Sequence, residues 1–324
     1  IKETKQLVEF MLDMGDGVLC LEFHSKANSL NSQIFEMLSI TAEEMEKDWV
    51  GLIIGNQGKN FCAGADLTLF LDIIERQAWD EMEFLIRSMQ TVLLGFRYGC
   101  KPVVSAPFGM VLGGGAEVMM GSSAICAASE AYIGQVEAGV GVIPALGGCT
   151  ELVRRVIAPV KKGNPNADLT PYLQRVFEMI AMGKVSSNAM EAMQWGFLMP
   201  SDRVVMNADH LLSDAKRMVL GLAANDYHPP SRNNDVWVLG NAGLATLKLV
   251  IWSYKAAGYL SDHDVLVSEK IANVVSGGAL TRPQWVNPEY LLDLERENFL
   301  SVFSEPKTLE RIKYMYQMKK VLRN

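Results

Sequence analysis

A recurring pattern constrains this chain more than any single motif. Three times in its first 121 residues a short apolar run gives way to a loop or turn rich in glycine, proline or asparagine, which opens onto a stretch with helical spacing. The apolar runs are "GVLCLEF", "WVGLIIGN" and "KPVVSAP", each of strand length. After the first, "SQIFEMLSITAEEMEKD" spaces Ile34, Leu38 and Met45 as a helix does. After the second, Asp66 is placed to cap a helix through "LTLFLDIIERQ", and "EMEFLIRSMQTVLLGFRYG" continues helical. After the third, a glycine triplet leads into a helix at "AEVMMGSSA", and "SAICAAS" and "AYIGQ" read as two more short strands. Alternation of strand and helix is the α/β pattern.

From Glu151 onward helices dominate. "KKGNPNADLTP" interrupts them as a solvated loop, and "SSNAMEAMQWGFL" carries a serine N-cap and a stop at Gly196. The proline- and asparagine-rich tract "NDYHPPSRNND", residues 225–235, is the clearest boundary. It divides a core, residues 1–225, from an almost wholly helical extension, residues 226–324.

Composition excludes several classes. With 324 residues, 49% of them hydrophobic, the chain can bury a sizeable core without disulfides or metals. A formal charge of −7 argues against non-specific nucleic-acid binding, although a few lysines can still set the potential of a cleft for an anionic ligand. The longest uncharged run, residues 102–116, is broken by Pro107 and four glycines and is too short to span a bilayer. The five cysteines are scattered in apolar contexts, so we read them as buried, reduced thiols of a cytoplasmic protein. The four histidines lack ligand-like spacing with them, and no metal site is expected.

Three places carry chemistry. In "FCAGADL", residues 61–67, a loop of small residues enters a helix and leaves backbone N–H groups facing outward. In "FGMVLGGGAEVMMG", Gly113, Gly114 and Gly115 do the same with no side chain in the way, and Glu117 follows among apolar residues. Two such loops converging make an oxyanion hole, yet a glycine-rich helix entry taken alone more often serves only turn geometry and close packing. Glu137, in "IGQVEAGVG", is the third, a second glutamate among small and apolar neighbours. Two poorly solvated carboxylates can divide acid and base duties, but each taken singly reads equally as a solvated or arginine-paired group. Neither "GGGAEV" nor "GVGVIP" completes a dinucleotide-binding GxGxxG, and no nucleophile elbow or P-loop is present.

In that order and spacing, "GNQGKNFCAGADL", "KPVVSAPFGMVLGGGAEVMM" and "YIGQVEAGVGVIPALGG" resemble the enoyl-CoA hydratase/isomerase (crotonase) superfamily over roughly residues 15–225. The resemblance implies a spiral of ββα turns followed by a mostly helical C-terminal region. It implies an enoyl-CoA hydratase of fatty-acid β-oxidation, with acyl-CoA as substrate, no separate cofactor and a homo-oligomeric state. The amides of Ala65 and Gly114 would hold the thioester oxygen, and Glu117 and Glu137 would be the acid/base pair. Lys26, Ala27, Ser29, Leu30, Phe61, Ala63 and Ala65 would line the coenzyme A groove. Lys26, Lys59 and Lys101 are candidates for its phosphates and are equally ordinary surface lysines. Keeping both glutamates favours hydration over double-bond migration. An isomerase, an acyl-CoA hydrolase and a non-catalytic acyl-CoA-binding module stand as alternatives. The helical tail looks like the end of bacterial fusions of a 3-hydroxyacyl-CoA dehydrogenase with a hydratase. The opening Ile1, in a charged linker-like segment, then suggests a piece of such a polypeptide.

Overall fold

The computed structural model describes residues 10–233 and 235–324. The charged opening segment at residues 1–9 and Asn234, within the boundary tract, lie outside the described residues. The chain divides into two compact units, each assembled from three stretches. The first takes residues up to 66, 87–133 and 186–231, and the second takes 67–86, 134–185 and 232–324.

The first unit is built on a six-stranded sheet of β1 (Met11–Asp13), β2 (Val18–Leu21), β3 (Gly51–Gly55), β4 (Val103–Ala106), β6 (Ala124–Ala128) and β8 (Arg203–Val205), in that order. Between β4 and β6 the chain makes β5 (Gly109–Leu112), and after β6 it makes β7 (Ala131–Gly134). Only the β1–β2 pair is antiparallel; the rest are parallel. Strands β2, β3 and β4 are buried along their whole length, which is why they read as unbroken apolar runs rather than as an alternation. The helix Leu211–Ala224 lays Leu211, Ala215 and Val219 onto Val18, Cys20, Ile53, Val104 and Cys126 to close one face.

A second, lesser ladder gives the fold its spiral. Leu30 pairs with Ala65, Cys62 pairs with Val111, and β5 pairs with β7. After β2, β3, β4 and β6 the chain thus makes a short extended piece in this ladder, and after the first three of these turns a helix follows: Ser32–Glu44, then Leu67–Arg76 and Trp79–Tyr98, then Gly114–Met120. This is the expected spiral of ββα turns.

The second unit is mostly helical. Its helices Thr170–Ala181, Gly240–Ala256, Asp262–Ser276, Pro288–Phe303 and Pro306–Met318 bury Leu173, Phe177, Leu247, Ile271, Phe303 and Ile312. Phe70, Trp79, Phe299 and Phe303 form an aromatic cluster, with ring centroids 5.1–6.0 Å apart. One element was not expected in the tail, an antiparallel pair of β9 (Val236–Val238) and β10 (Gln284–Val286). The two strands lie 46 residues apart in sequence (284 − 238), so no local turn signal announces the pairing.

Smaller expectations are corrected. The polar insert is not all loop, since Lys161–Gly163 end the helix Ala158–Gly163 and Thr170 and Pro171 start the next. The helix Ala189–Trp195 is capped by Asn188, whose side chain accepts from Glu191 N, and not by a serine. Gly196 ends it in a left-handed conformation, as expected. Four cysteines are buried, but Cys100 is exposed in the turn before β4. Burial pushes the thiols of Cys20 and Cys62 up to about 12.

Candidate active site

The loop 61–66 is held on both edges and turns at Gly64, which has a φ of 98°. On one side Ala63 N donates to Ala27 O, Leu30 N to Gly64 O and Asp66 N to Leu30 O. On the other, Cys62 N donates to Met110 O and Leu112 N to Cys62 O. Leu30 bonds to Gly64 O and Asp66 N on either side of Ala65, as in a parallel ladder, so the Ala65 N–H faces away from residue 30. That amide donates to none of the described residues.

The strand β5 leads into Gly113, whose φ of 54° and ψ of −127° only glycine adopts without strain. The helix Gly114–Met120 starts there, and its first two amides, Gly114 and Gly115, have no acceptor among the described residues. Gly115 packs directly on the loop, for a Cβ at that position would stand 2.5 Å from Cys62 Cβ and 2.9 Å from Cys62 O. The two amide-bearing segments are therefore in contact through Cys62 and Gly115. Glu117 lies in the first turn of the same helix, 4% exposed and flanked by fully buried Ala116 and Val118. The first unit thus brings together Ala65, Gly114 and Glu117.

Glu137 belongs to the second unit, where it opens a short 3-10 turn, Glu137–Val140. With its amide oriented by the surrounding hydrogen bonds, fully buried Gln135 donates to Glu137 Oε1 at 2.8 Å and Oε2 at 3.1 Å. Gln135 was not singled out from the sequence. Its signal was a carboxamide two residues ahead of the glutamate in an apolar run.

The groove candidates separate into two kinds. Lys26 and Ala27 are exposed on a turn where Ala27 holds φ 56°, and Ser29, Ala63 and Ala65 are partly exposed. Leu30 and Phe61 are fully buried side chains, Phe61 against Phe23, so only their backbones are in a position to meet a ligand. Lys59 is exposed. Lys101 is otherwise engaged: its ammonium donates to Met45 O at 2.7 Å and also to Lys47 O, at the C-terminal end of the helix Ser32–Glu44. Among the described residues no three His, Cys, Asp or Glu side chains gather as a metal site requires, and no helix is long and apolar enough to cross a membrane.

A family model described as enoyl-CoA hydratase/isomerase matches residues 13–224. The chain belongs to the enoyl-CoA hydratase/isomerase family. A probable 3-hydroxyacyl-CoA dehydrogenase of Bacillus subtilis is 42% identical over all of this chain, which corresponds to 41% of that protein. A putative fatty acid oxidation complex trifunctional enzyme of Rickettsia felis is 34% identical over 89% of this chain and 36% of its own length. The chain therefore spans about two-fifths of the length of these two relatives. A carnitinyl-CoA dehydratase from Mycobacterium thermoresistibile superposes with a TM-score of 0.68 over 95% of this chain and 90% of that one, at 17% identity, which shows the crotonase fold.

Proposed function

We propose that this chain is an enoyl-CoA hydratase that adds water to 2-enoyl-CoA thioesters in fatty-acid oxidation. Family membership supports the substrate class, and the outward amides of Ala65 and Gly114 joined through Cys62 and Gly115 are the observation that carries the chemistry. As water adds, negative charge builds on the thioester oxygen. Two preorganised amides stabilise that charge, and losing one such donor costs on the order of 3 kcal/mol. In this reading Glu117 and Glu137 are the acid/base pair, one accepting a proton from water and the other delivering a proton to Cα. Gln135 would hold the Glu137 carboxylate in register for that transfer.

The turn at Lys26 and Ala27 and the segment through Ala63 and Ala65 would receive coenzyme A, which is part of the substrate rather than a cofactor. The family match ends at residue 224, which supports a catalytic core over 1–225 and an extension over 226–324. The relatives' names and lengths support a place in a longer polypeptide that also carries a 3-hydroxyacyl-CoA dehydrogenase. A cytoplasmic location and a homo-oligomeric state belong to the same reading.

The test follows the ultraviolet absorbance of a conjugated enoyl thioester. Hydration bleaches it, isomerisation of a 3-enoyl substrate raises it, and a binding module leaves it unchanged. Glu117→Gln and Glu137→Gln are each expected to lower kcat by orders of magnitude. Near-wild-type turnover in either variant would remove that residue from the mechanism.

A further inference from the structure

The segment from Glu137 to the helix Gly148–Val156 is gripped at both ends by C-terminal helices of its own unit. At the front, the turn Glu137–Val140 closes on Gly141, which is left-handed at φ 84°. Thr308, on the helix Pro306–Met318, donates its hydroxyl to Gly141 O at 2.9 Å. With its only proton used there, Thr308 Oγ1 accepts from His263 Nε2 at 2.9 Å, which makes that ring nitrogen the protonated one. Burial, with Arg311 and Lys307 nearby, lowers His263 to about 4, so the ring is neutral near pH 7 and keeps this donor arrangement. Arg311 is wholly buried, with Nη1 3.5 Å from Ala138 O and 2.8 Å from Asp264 Oδ1. The fit is close: a Cβ on Gly141 would stand 3.1 Å from Arg311 Cδ, His263 Nε2 and Thr308 Oγ1 alike.

At the rear, the helix Gly148–Val156 starts on Gly147, which has no side chain to cap it. The cap comes from far along the chain. Glu295, wholly buried on the helix Pro288–Phe303, accepts from Gly147 N at 2.9 Å, Thr150 N at 2.6 Å and Thr150 Oγ1 at 2.7 Å. Gly148 is thereby fixed against Gln135, for a Cβ there would stand 2.6 Å from the end of the Gln135 carboxamide that faces away from Glu137. Gln135 in turn holds the Glu137 carboxylate.

We propose that Thr308 and Glu295 are positioning residues for Glu137, so that the C-terminal extension sets where that carboxylate stands. This inference rests on the hydratase reading above. Neither residue acts on substrate. Thr308 works through the Gly141 carbonyl, and Glu295 works through the helix start that backs Gln135.

Thr308→Val keeps the side chain's shape and removes its donor, whereas Thr308→Ser keeps the donor. Thr308→Val is expected to lower kcat on the order of 10- to 100-fold, with KM for the enoyl thioester nearly unchanged. Thr308→Ser is expected to restore it. Hydrogen exchange supplies a readout that does not depend on activity. The amides of Gly139, Gly141 and Val142 close the turn by bonding to Val136 O, Ala138 O and Glu137 O. They are expected to exchange faster in Thr308→Val while β2–β4 stay protected. Glu295→Gln keeps shape and one acceptor, and is expected to speed exchange at Gly147 and Thr150 with the same loss of kcat. Unchanged exchange at these amides in both variants would overturn the proposal, as would faster exchange with unaltered kcat. A wild-type chain that hydrates nothing would remove the hydratase reading, and the exchange result would still decide whether the extension holds the turn.

Discussion

Gly115 shows how little room separates the candidate oxyanion loop from the helix beside it. An alanine methyl would meet Cys62 Cβ, Sγ and O between 2.5 and 2.9 Å, and Cys62 O is already the acceptor for Leu112 N. Gly115→Ala is expected to cost about 1–3 kcal/mol in chemical denaturation, as overpacking does, and to depress hydration by shifting the loop that carries Ala65. Gly95 is the contrast. It sits exposed in the helix Trp79–Tyr98 with nothing within 4 Å of an added Cβ. Gly95→Ala is expected to stabilise by roughly 0.5–1 kcal/mol, chiefly through the unfolded chain, and to leave turnover unchanged. The triplet at 113–115 was legible because free amides at a helix start follow from local rules. The fate of Lys101 was not, because its acceptors at Met45 and Lys47 lie more than fifty residues away.

At the scale of elements, helix caps determine how the second unit responds to pH. The helix Asp262–Ser276 begins with a capping box of Ser261 and Asp264. Burial alone would raise the Asp264 carboxyl, but the Ser261 amide and the Arg311 guanidinium hold it below its ordinary value. His263 stands beside it, facing Arg311, Lys307, Asp264 and Glu310, with its pKa lowered from 6.5 to about 4. The unfolded chain therefore takes up this proton first on acidification. Stability from keeping His263 neutral is complete above about pH 6.5 and is lost as pH falls toward 4. Thermal unfolding across that window is expected to show a declining Tm, and His263→Gln, which keeps an N–H for Thr308, is expected to flatten the decline. An equal slope in the variant would assign the loss to other groups. The capping box is local and readable. The cap that Glu295 supplies to the helix Gly148–Val156 joins residues 145 positions apart and has no sequence signature.

Over the whole molecule, each unit is completed by stretches distant in sequence. Residues 134–185 depend on the tail for Glu295, for the Thr308 hydroxyl and for the buried Phe303 and Ile312. A chain ending at residue 287 is expected to become protease-sensitive within 134–185, while segments of the first unit survive longer. Resistance of 134–185 in that truncated chain would show that the tail is not needed to hold it. The sequence by itself determined the run of strands and helices, since burial on both sheet faces writes continuous apolar runs and helix packing writes a 3.6-residue period. It also determined the two glycine-rich helix starts and the family, because these features are local. Only the tertiary structure decided that Gln135 faces Glu137, that Leu30 and Phe61 are core, that Lys101 is occupied and that the C-terminal helices grip the Glu137 turn. Those facts are pairings between distant residues, and a polar side chain carries no mark in the sequence of which distant backbone group it will meet once the chain has closed.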